Sequence, residues 1–219
     1  MIVRDASPDE LAEVGDLRVT AYQADGFLSA GSSYAPTLRA LGSEGDGTVL
    51  VALDDRQGER GGQGERGGQG ERGGQGERGG QGGQGERGGQ GGQGAPGMRD
   101  GRHGGAGRII GTVMLQFWPH GGEIGVGQDE AEIRALAVAP GQQGRGTGRA
   151  LLRAVIGRAA REGVRHLVLL TQPEMRAARH LYEQEGFRRL PERDWAPVPG
   201  RVLLAYGLAL TGTGGEAES

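Results

Sequence analysis

A glycine-rich segment between a predicted strand and a predicted helix is well suited to bind a charged group. It is Val138–Gly148, with the sequence VAPGQQGRGTG. Backbone N–H groups in such a turn, with a helix N-terminus behind them, form an anion site for phosphate or pyrophosphate. Glycines at 144, 146 and 148 let the backbone approach such a ligand closely. The segment lacks the Gly-Lys-[Ser/Thr] ending of a P-loop and lies far from the first strand, where dinucleotide-binding glycines stand, so it predicts neither of those sites.

Composition excludes several other kinds of chemistry. Cysteine is absent, which removes disulfides, thiolate metal sites and cysteine nucleophiles, and the four histidines lack paired spacing, so we expect no metal. The net charge is -3 and no basic cluster is present, so we expect no nucleic-acid partner. No apolar run approaches the ~20 residues of a membrane span, and the N-terminus lacks a signal-peptide layout. We therefore expect no membrane association and a cytoplasmic location.

A block of low complexity interrupts the chain. From Gly58 to Arg99, glycine recurs at every third position, as in the Gly-X-Y pattern of collagen. Pro96 is the block's only proline, and the segments on either side of the block are expected to pair as strands. Both observations argue against a triple helix. Because the block lacks apolar side chains, we interpret 56–107 as a disordered insertion in a strand hairpin. Several short polyproline-like segments that fold back on one another remain an alternative.

The remaining sequence has the pattern of one α/β domain over residues 1–210, with a flexible tail over 211–219. Runs rich in β-branched residues predict strands, and apolar residues at helical spacing predict helices. The strands are predicted at 2–4, 48–53, 108–117, 131–138, 167–170 and 202–210, and the helices at 8–22, 33–41, 146–162 and 172–185. This order predicts a mixed sheet with helices packed against it.

Local signals mark some element ends and one irregularity. Ser7 and Thr171 are predicted helix caps, each with a glutamate three residues later. Gly186 is a predicted left-handed helix stop, with Phe187 folding back as its hydrophobic contact. In the strand over 131–138 the large apolar residues stand at 133, 136 and 138, so their alternation is broken once. That break predicts a β-bulge.

Two spaced motifs resemble those of the GNAT superfamily of acetyl-CoA-dependent N-acetyltransferases. A strand ending Leu-x-Val, here Leu136 to Val138, is followed by [Arg/Gln]-x-x-Gly-x-[Gly/Ala], here Gln143–Gly148. The second pattern, Asn-x-x-Ala-x-x-[Leu/Phe]-Tyr-x-x-x-Gly-Phe, matches 175–187 and departs only at Met175. That departure puts in doubt a cofactor contact that the asparagine often makes.

The resemblance implies both a fold and an activity. The fold is a mixed, mostly antiparallel central sheet of about seven strands flanked by about four helices. The activity is acetyl transfer from acetyl-CoA to a primary amine of a small molecule or peptide, by direct attack in a ternary complex. Because many members pair through their C-terminal strands, it also implies a homodimer. Two alternatives remain, a non-catalytic acyl-CoA-binding sensor or interaction module and a protein N-terminal acetyltransferase.

The same resemblance assigns the residues that bind the donor. Backbone amides from Leu136 to Val138 would hold the pantetheine arm, and the Val138 N–H would donate to the oxyanion. The phosphate-binding loop would provide Gln143, Gly144, Arg145, Gly146, Thr147, Gly148 and Arg149. Ala137 completes the cofactor-binding set.

The resemblance also places two titratable side chains in catalytic roles. Tyr182 stands at the family position of the general acid that protonates the coenzyme A thiolate. The alternative is an ordinary core aromatic on the buried face of a helix. Glu132 opens the strand where some members place a base that deprotonates the amine through water. Its alternative is a solvated carboxylate at a strand end, and the neighbouring Asp129 and Glu130 could form an acidic lip that attracts a cationic amine.

Aromatic side chains near the predicted site are candidates for the acceptor pocket. In this family, substrate contacts come from the first two helices and from loops beside the central strands. The residues at those places are Tyr22, Phe27, Tyr34, Trp118 and His120, and Trp195 is a further candidate. Because each stands alone in the sequence, ordinary packing is the favoured interpretation of all of them.

Overall fold

The computed structural model describes residues 1–54, 107–117, 119, 124, 127–198 and 200–210. The predicted insertion, apart from Gly107, lies outside the described residues, as do Trp118, His120 and the predicted tail. The described strands are β1 Ile2–Asp5, β2 Thr48–Asp54, β3 Arg108–Phe117, β4 Glu130–Val138, β5 His166–Thr171, β6 Arg188–Arg189, β7 Trp195–Val198 and β8 Arg201–Ala209. The helices are α1 Leu11–Ala24, α2 Ala35–Ala40, α3 Thr147–Arg161 and α4 Arg176–Gln184.

The eight strands form one mixed sheet. Seven of them follow the order β1-β2-β3-β4-β5-β8-β6, and β7 pairs with β8. Among the described strands, β4 and β5 run parallel and all other neighbours are antiparallel. The predicted α/β class with a mostly antiparallel mixed sheet and four helices is therefore confirmed. The two short strands β6 and β7 carry too few residues for a period-2 pattern, so they were not located from the sequence.

Strands β2 and β3 are neighbours, as the β-branched runs predicted. Thr48 pairs with Leu115 at one end of the ladder, and Asp54 pairs with Arg108 at the other. The last residue of β2 and the first residue of β3 therefore lie directly opposite each other.

Each face of the sheet carries its own apolar cluster. Because successive side chains of a strand point to opposite faces, Leu50 and Ala52 of β2 pack with α3 and α4, while Val49 and Val51 pack with α1 and α2. Gly111 of β3 lets α3 begin close to the sheet. A Cβ there would lie 2.9 Å from a methyl of Leu151 and 3.0 Å from the methyl of Thr147.

The helix ends agree with the sequence signals in two cases and differ in one. Before α1, the Ser7 N–H donates to the Glu10 carboxylate at 2.9 Å, and Pro8–Glu10 forms a 3₁₀ turn. Gly186 ends α4 with φ +93°. The predicted cap at Thr171 is wrong, because Thr171 is still paired in β5 and α4 begins only at Arg176. None of the described helices is both long and apolar enough to cross a membrane.

Candidate active site

The site begins where β4 and β5 stop pairing. Their parallel ladder covers only Glu130–Ile133 of β4, paired with His166–Leu169 of β5. Beyond it β4 remains paired with β3, while β5 remains paired with β8. The two strands therefore part, and a gap opens between them in the middle of the sheet.

A β-bulge lies at the start of this gap, as the broken alternation predicted. Thr112 pairs with Ala137 and Met114 pairs with Arg134, so β4 contains one residue more than β3 over this stretch. Ala135 takes up the extra residue with φ +50°, a left-handed conformation that is uncommon outside glycine. The bulge bends β4 away from β5 and so contributes to the gap.

Two backbone N–H groups of β4 point into the gap. The Ala139 N–H donates to the Ile110 carbonyl at 2.9 Å, on the β3 side. Consecutive residues of an antiparallel strand direct their N–H groups to alternate sides. The N–H groups of Val138 and Leu136 therefore face the side that β5 has left, where they can bind a ligand.

The glycine-rich segment forms a turn that leads into α3. Gly144 and Gly146 have φ of +72° and +83°, and Gly146 immediately precedes the helix. The first helical hydrogen bond runs from the Ala150 N–H to the Gly146 carbonyl at 2.9 Å. The N–H groups of the preceding first turn, Thr147–Arg149, have no acceptor within the helix. This geometry can bind an anion through backbone groups, and its role as the phosphate site stays a prediction.

A cavity of about 700 Å³, which we name the loop cavity, joins this turn to the gap. Its wall includes Leu136, Ala137, Val138, Gln143, Gly144, Gly146, Thr147, Gly148, Arg149 and Tyr182. The structure thus brings together nearly all of the residues that the resemblance assigned to the donor. Arg145 is the exception, because its guanidinium donates to Gln142 at 3.3 Å and the residue does not line the cavity.

The polar side chains of the turn are held by neighbouring elements. Gln143 donates to both carboxylate oxygens of Asp25, each at 3.0 Å, which ties the turn to the residue that follows α1. The Arg149 Nε lies 3.1 Å from the Glu185 carboxylate. The same carboxylate also forms an ion pair with the Arg153 Nε at 2.8 Å. Glu185 therefore holds Arg149 at the mouth of the turn.

Tyr182 lies on α4 at the wall of the loop cavity. Its side chain is 6% exposed, and its ring packs against Phe187 and Tyr206 with centroids 6.0 and 6.3 Å away. Burial raises the pKa of the Tyr182 phenol well above its usual value, and the nearby Tyr22 adds to the effect. The phenol is therefore neutral and able to donate a proton. Tyr182 belongs to the core and lines the cavity at once. Its role as the general acid stays a prediction.

Glu132 is buried, which corrects the interpretation of a solvated carboxylate at a strand end. Only 1% of it is exposed, because β4 is flanked by β3 and β5 at this position. One of its carboxylate oxygens lies 3.8 Å from the Arg134 Nε. The Glu132 side chain lines a second cavity of about 590 Å³, which we name the Glu132 cavity.

The predicted acidic lip is wrong for Glu130. Its carboxylate accepts from both terminal nitrogens of Arg193, at 2.7 and 3.1 Å, and from the Gly127 N–H at 3.1 Å. These bonds, the one from Arg193 above all, lower the pKa of Glu130 despite its partial burial. Glu130 thus anchors the segment before β7, and neither it nor Asp129 lines either cavity.

The two cavities meet at the gap in the sheet. Both are lined by Tyr22, Phe27, Ile133, Ala135, Leu170, Thr171 and Met175. Tyr34 and Trp195 line the Glu132 cavity, so four of the aromatic candidates lie on its wall. Met175, where the second motif departs from asparagine, lines both cavities and so lies at the junction itself.

Sequence reasoning missed several polar residues of the Glu132 cavity, among them Arg134, Gln172 and Arg201. Arg134 had a signal, because it stands two residues after Glu132 on the same face of β4. Arg201 had none, since the turn between β7 and β8 brings it to the site only in three dimensions. Within the described ranges, no three His, Asp or Glu side chains are placed to hold a metal ion.

Known proteins resemble the chain in sequence and in fold. Residues 97–187 match the family model described as Acetyltransferase (GNAT) family. A mycothiol acetyltransferase of Kocuria rhizophila is 45% identical over 82 residues, which are 37% of this chain and 26% of that protein. The chain thus matches little more than a quarter of the length of that curated relative.

Solved structures resemble the fold over almost its whole length. An acetyltransferase of the GNAT family from Staphylococcus aureus has a TM-score of 0.57 at 13% identity, covering 96% of this chain and 99% of that one. A ribosomal-protein-alanine N-acetyltransferase of Brucella melitensis has a TM-score of 0.56 at 15% identity, covering 96% and 100%. The yncA structure of Salmonella typhimurium, solved with its cofactor acetyl-CoA, has a TM-score of 0.55 at 16% identity, covering 100% and 99%. The residues that match the family model include the bulged strand, the glycine turn and Tyr182, so this part of the chain is similar to the GNAT family of acetyltransferases, and the whole fold resembles that of solved acetyltransferases.

Proposed function

We propose that this protein transfers the acetyl group of acetyl-CoA to a primary amine by direct attack in a ternary complex. The observation that carries the proposal is the meeting of two cavities at the gap between β4 and β5. One contains the anion-binding turn and Tyr182, and the other contains Glu132. Two reactants can therefore approach a common point from separate spaces.

The donor fits the loop cavity by the chemistry of its wall. The N–H groups of the turn and of the first turn of α3 would hold the pyrophosphate, with Arg149 beside them. The N–H groups of Leu136 and Val138 face the gap and would bind the pantetheine arm and the thioester oxygen. An N–H fixed in this position stabilises the negative charge that develops on that oxygen during attack.

Proton transfer requires one group on each side of the gap. An amine attacks only when neutral, and Glu132 is placed to accept its proton through water. As the new C–N bond forms, the C–S bond breaks and the electron pair leaves on sulfur. The neutral phenol of Tyr182 then protonates that thiolate, and the resulting phenolate regains a proton from the nitrogen of the new amide. No residue of this chain forms a covalent bond in the scheme, in agreement with the absence of cysteine.

The relatives support acetyl transfer and leave the acceptor open. One is named for mycothiol and another for a ribosomal-protein alanine. The acetyl-CoA in the Salmonella typhimurium structure supports the choice of donor. A small-molecule amine or a peptide as acceptor agrees with these names. The cytoplasmic location and the homodimer remain predictions.

The test is release of free coenzyme A from acetyl-CoA in the presence of amines, amino acids and short peptides. Calorimetric binding of acetyl-CoA to the same preparation is measured in parallel. We expect binding without an acceptor and turnover with at least one of them. Binding without any turnover would favour the sensor alternative, and lack of binding would refute the proposal.

A further inference from the structure

The charged groups around the Glu132 cavity are arranged asymmetrically. Glu132 lies near the gap and is buried beside Arg134. Arg201 lies at the opposite end, on β8, where its side chain is exposed. Within the part of the chain that the structure describes, no carboxylate forms an ion pair with Arg201. The cavity thus has a carboxylate at its inner end and an available guanidinium at its rim.

A buried arginine behind the cavity wall adds positive charge. Arg18 of α1 is 0% exposed, and its Nη1 donates to the Leu41 carbonyl at 2.6 Å. Its Nε and Nη2 are buried and have no hydrogen-bond partner among the described residues. Burial lowers the pKa of Arg18 to about 10, so the guanidinium is charged at neutral pH. Tyr22 and Tyr34, which line the cavity, are both within its electrostatic reach.

The charges of this region do not cancel. Among the described residues, the wall of the Glu132 cavity carries two cations, Arg134 and Arg201, and one anion, Glu132. Behind the wall, Arg18 lies in the field of Asp46, whose carboxylate accepts from Gln116 Nε2 at 3.2 Å. The difference is one positive charge in a partly enclosed space, where charges interact more strongly than in water. The region therefore favours an acceptor that brings a negative charge of its own, in addition to its amine.

The strand register sets the distance between the two ends. Thr171, at the gap, pairs with Leu204 of β8, and Arg201 stands three residues further along that strand. At the usual rise of a strand this is about 10 Å. An amine at the gap and an anion at Arg201 are thus separated by roughly the length of two or three extended residues.

We infer that the acceptor is a zwitterion of peptide size, a primary amine with a carboxylate about 7–10 Å away. This inference rests on the proposed function. The hydroxyl groups of Ser29, Ser32 and Thr37 and the amide of Gln172 also line the cavity. They provide donors and acceptors for the polar backbone of such a molecule between its two charged ends.

The experiment compares glycine, diglycine and triglycine with their C-terminal amides as acceptors, using release of coenzyme A. Each acid and its amide have the same amine and nearly the same shape, and differ in the terminal charge. We expect triglycine to exceed triglycine amide in kcat/KM by about tenfold, the effect of one charge-assisted hydrogen bond. The preference should be smallest for glycine, whose carboxylate cannot reach Arg201.

Two variants of Arg201 and one control complete the test. R201Q should reduce the acid-to-amide ratio to near one, and R201E should make the amide the better acceptor. R161Q is the control, because Arg161 is an exposed arginine at the end of α3 that lines neither cavity. It should leave the ratio unchanged.

The outcomes separate this inference from the proposed function. Equal kcat/KM for acids and amides, or a preference that survives in R201Q, would overturn the inference and leave acetyl transfer intact. If none of the six compounds is acetylated, calorimetry compares triglycine and its amide for binding to the protein saturated with coenzyme A. Equal or undetectable binding there would also overturn the inference. Failure of acetyl-CoA itself to bind would instead refute the proposed function.

Discussion

The Phe187 N–H donates to the Tyr182 carbonyl at 3.0 Å, and the rings of the two residues lie 6.0 Å apart. The Gly186 N–H donates to the Glu183 carbonyl at 3.1 Å, and together the two bonds form a Schellman motif. The same residues that end α4 therefore hold the phenol against the loop cavity. Because the ring is fixed by the helix end, it can present its hydroxyl without reordering when a substrate binds.

Replacing Tyr182 with phenylalanine should lower kcat about 100-fold, because the variant has no proton donor for the thiolate. The ring contacts remain, so acetyl-CoA affinity and melting temperature should change little. Steady-state kinetics, calorimetry and thermal unfolding provide the measurements. Y206F is the matched control, since Tyr206 touches the same ring but its hydroxyl donates to Glu183 and lines neither cavity. Wild-type kcat in Y182F would show that another group is the acid.

The raised pKa of Tyr182 predicts how kcat responds to alkaline pH. An ordinary tyrosine loses its proton near pH 10. Burial disfavours the charged phenolate and moves that loss to higher pH. The phenol should therefore remain a proton donor throughout the range from pH 7 to about 10, and kcat at saturating substrates should not fall over it. A decline in kcat centred below about pH 9, in a protein still folded by circular dichroism, would contradict this assignment.

Replacing Glu132 with glutamine should lower kcat/KM for the amine about 100-fold by removing the proton acceptor. The loss should be smaller at high pH, where more of the free amine is already neutral. E130Q is the control, because the neighbouring carboxylate is bound to Arg193 and lies outside both cavities. That variant should lose about 1 kcal/mol of stability with kcat little changed. Equal catalytic losses in the two variants would indicate a structural role for Glu132.

Replacing each of two glycines, one just before α3 and one inside it, with alanine should change the stability of the protein in opposite directions. Gly146 has φ +83°, where a side chain costs about 1–2 kcal/mol. Gly157, inside α3, has ordinary helical geometry, and its Cβ would meet only Arg161 Nη1 at 3.6 Å. G146A should therefore destabilise the protein and weaken acetyl-CoA binding, while G157A should stabilise it by about 0.5–1 kcal/mol. Urea unfolding and calorimetry test both, and tight acetyl-CoA binding by G146A would argue against this turn as the phosphate site.

The glycine-rich repeat should be removable. Because Asp54 pairs directly with Arg108, residues 55–107 can be replaced by an Asn-Gly turn without moving either strand. We expect the shortened protein to fold and to retain its acetyl-CoA affinity. A variant of equal length, in which the segment is a scrambled sequence of the same composition, separates the effect of length from that of the repeat. Loss of binding in the shortened protein alone would assign a role to the segment's length.

Much of this fold could be predicted from local sequence signals. The β-branched runs located β2 and β3, and the misplaced apolar residue at 136 predicted the bulge that the register and Ala135 confirm. Gly186 and Phe187 predicted the end of α4 because the Schellman motif has a local signature. Such features depend on a few neighbouring residues, and the sequence contains all of them.

The remainder depended on contacts that are distant in sequence. A helix cap at Thr171 has the right residue types, but pairing with Leu204 keeps that residue in β5. Glu130 and Glu132 look alike in the sequence. In the fold, however, Glu130 binds Arg193, while Glu132 lines a cavity. The placement of Arg18 and Arg201 likewise follows from packing between elements. The apolar periodicity of the sequence predicts the elements but not how they pack together.

The gap between β4 and β5 has a consequence for the order of catalytic events. If the donor and the acceptor occupy the two cavities that meet at that opening, as we propose, one product need not wait for the other to leave. Coenzyme A should therefore compete with acetyl-CoA but act as a noncompetitive inhibitor toward the amine. In the proposed reaction, the parting of two strands would give donor and acceptor independent routes of exchange.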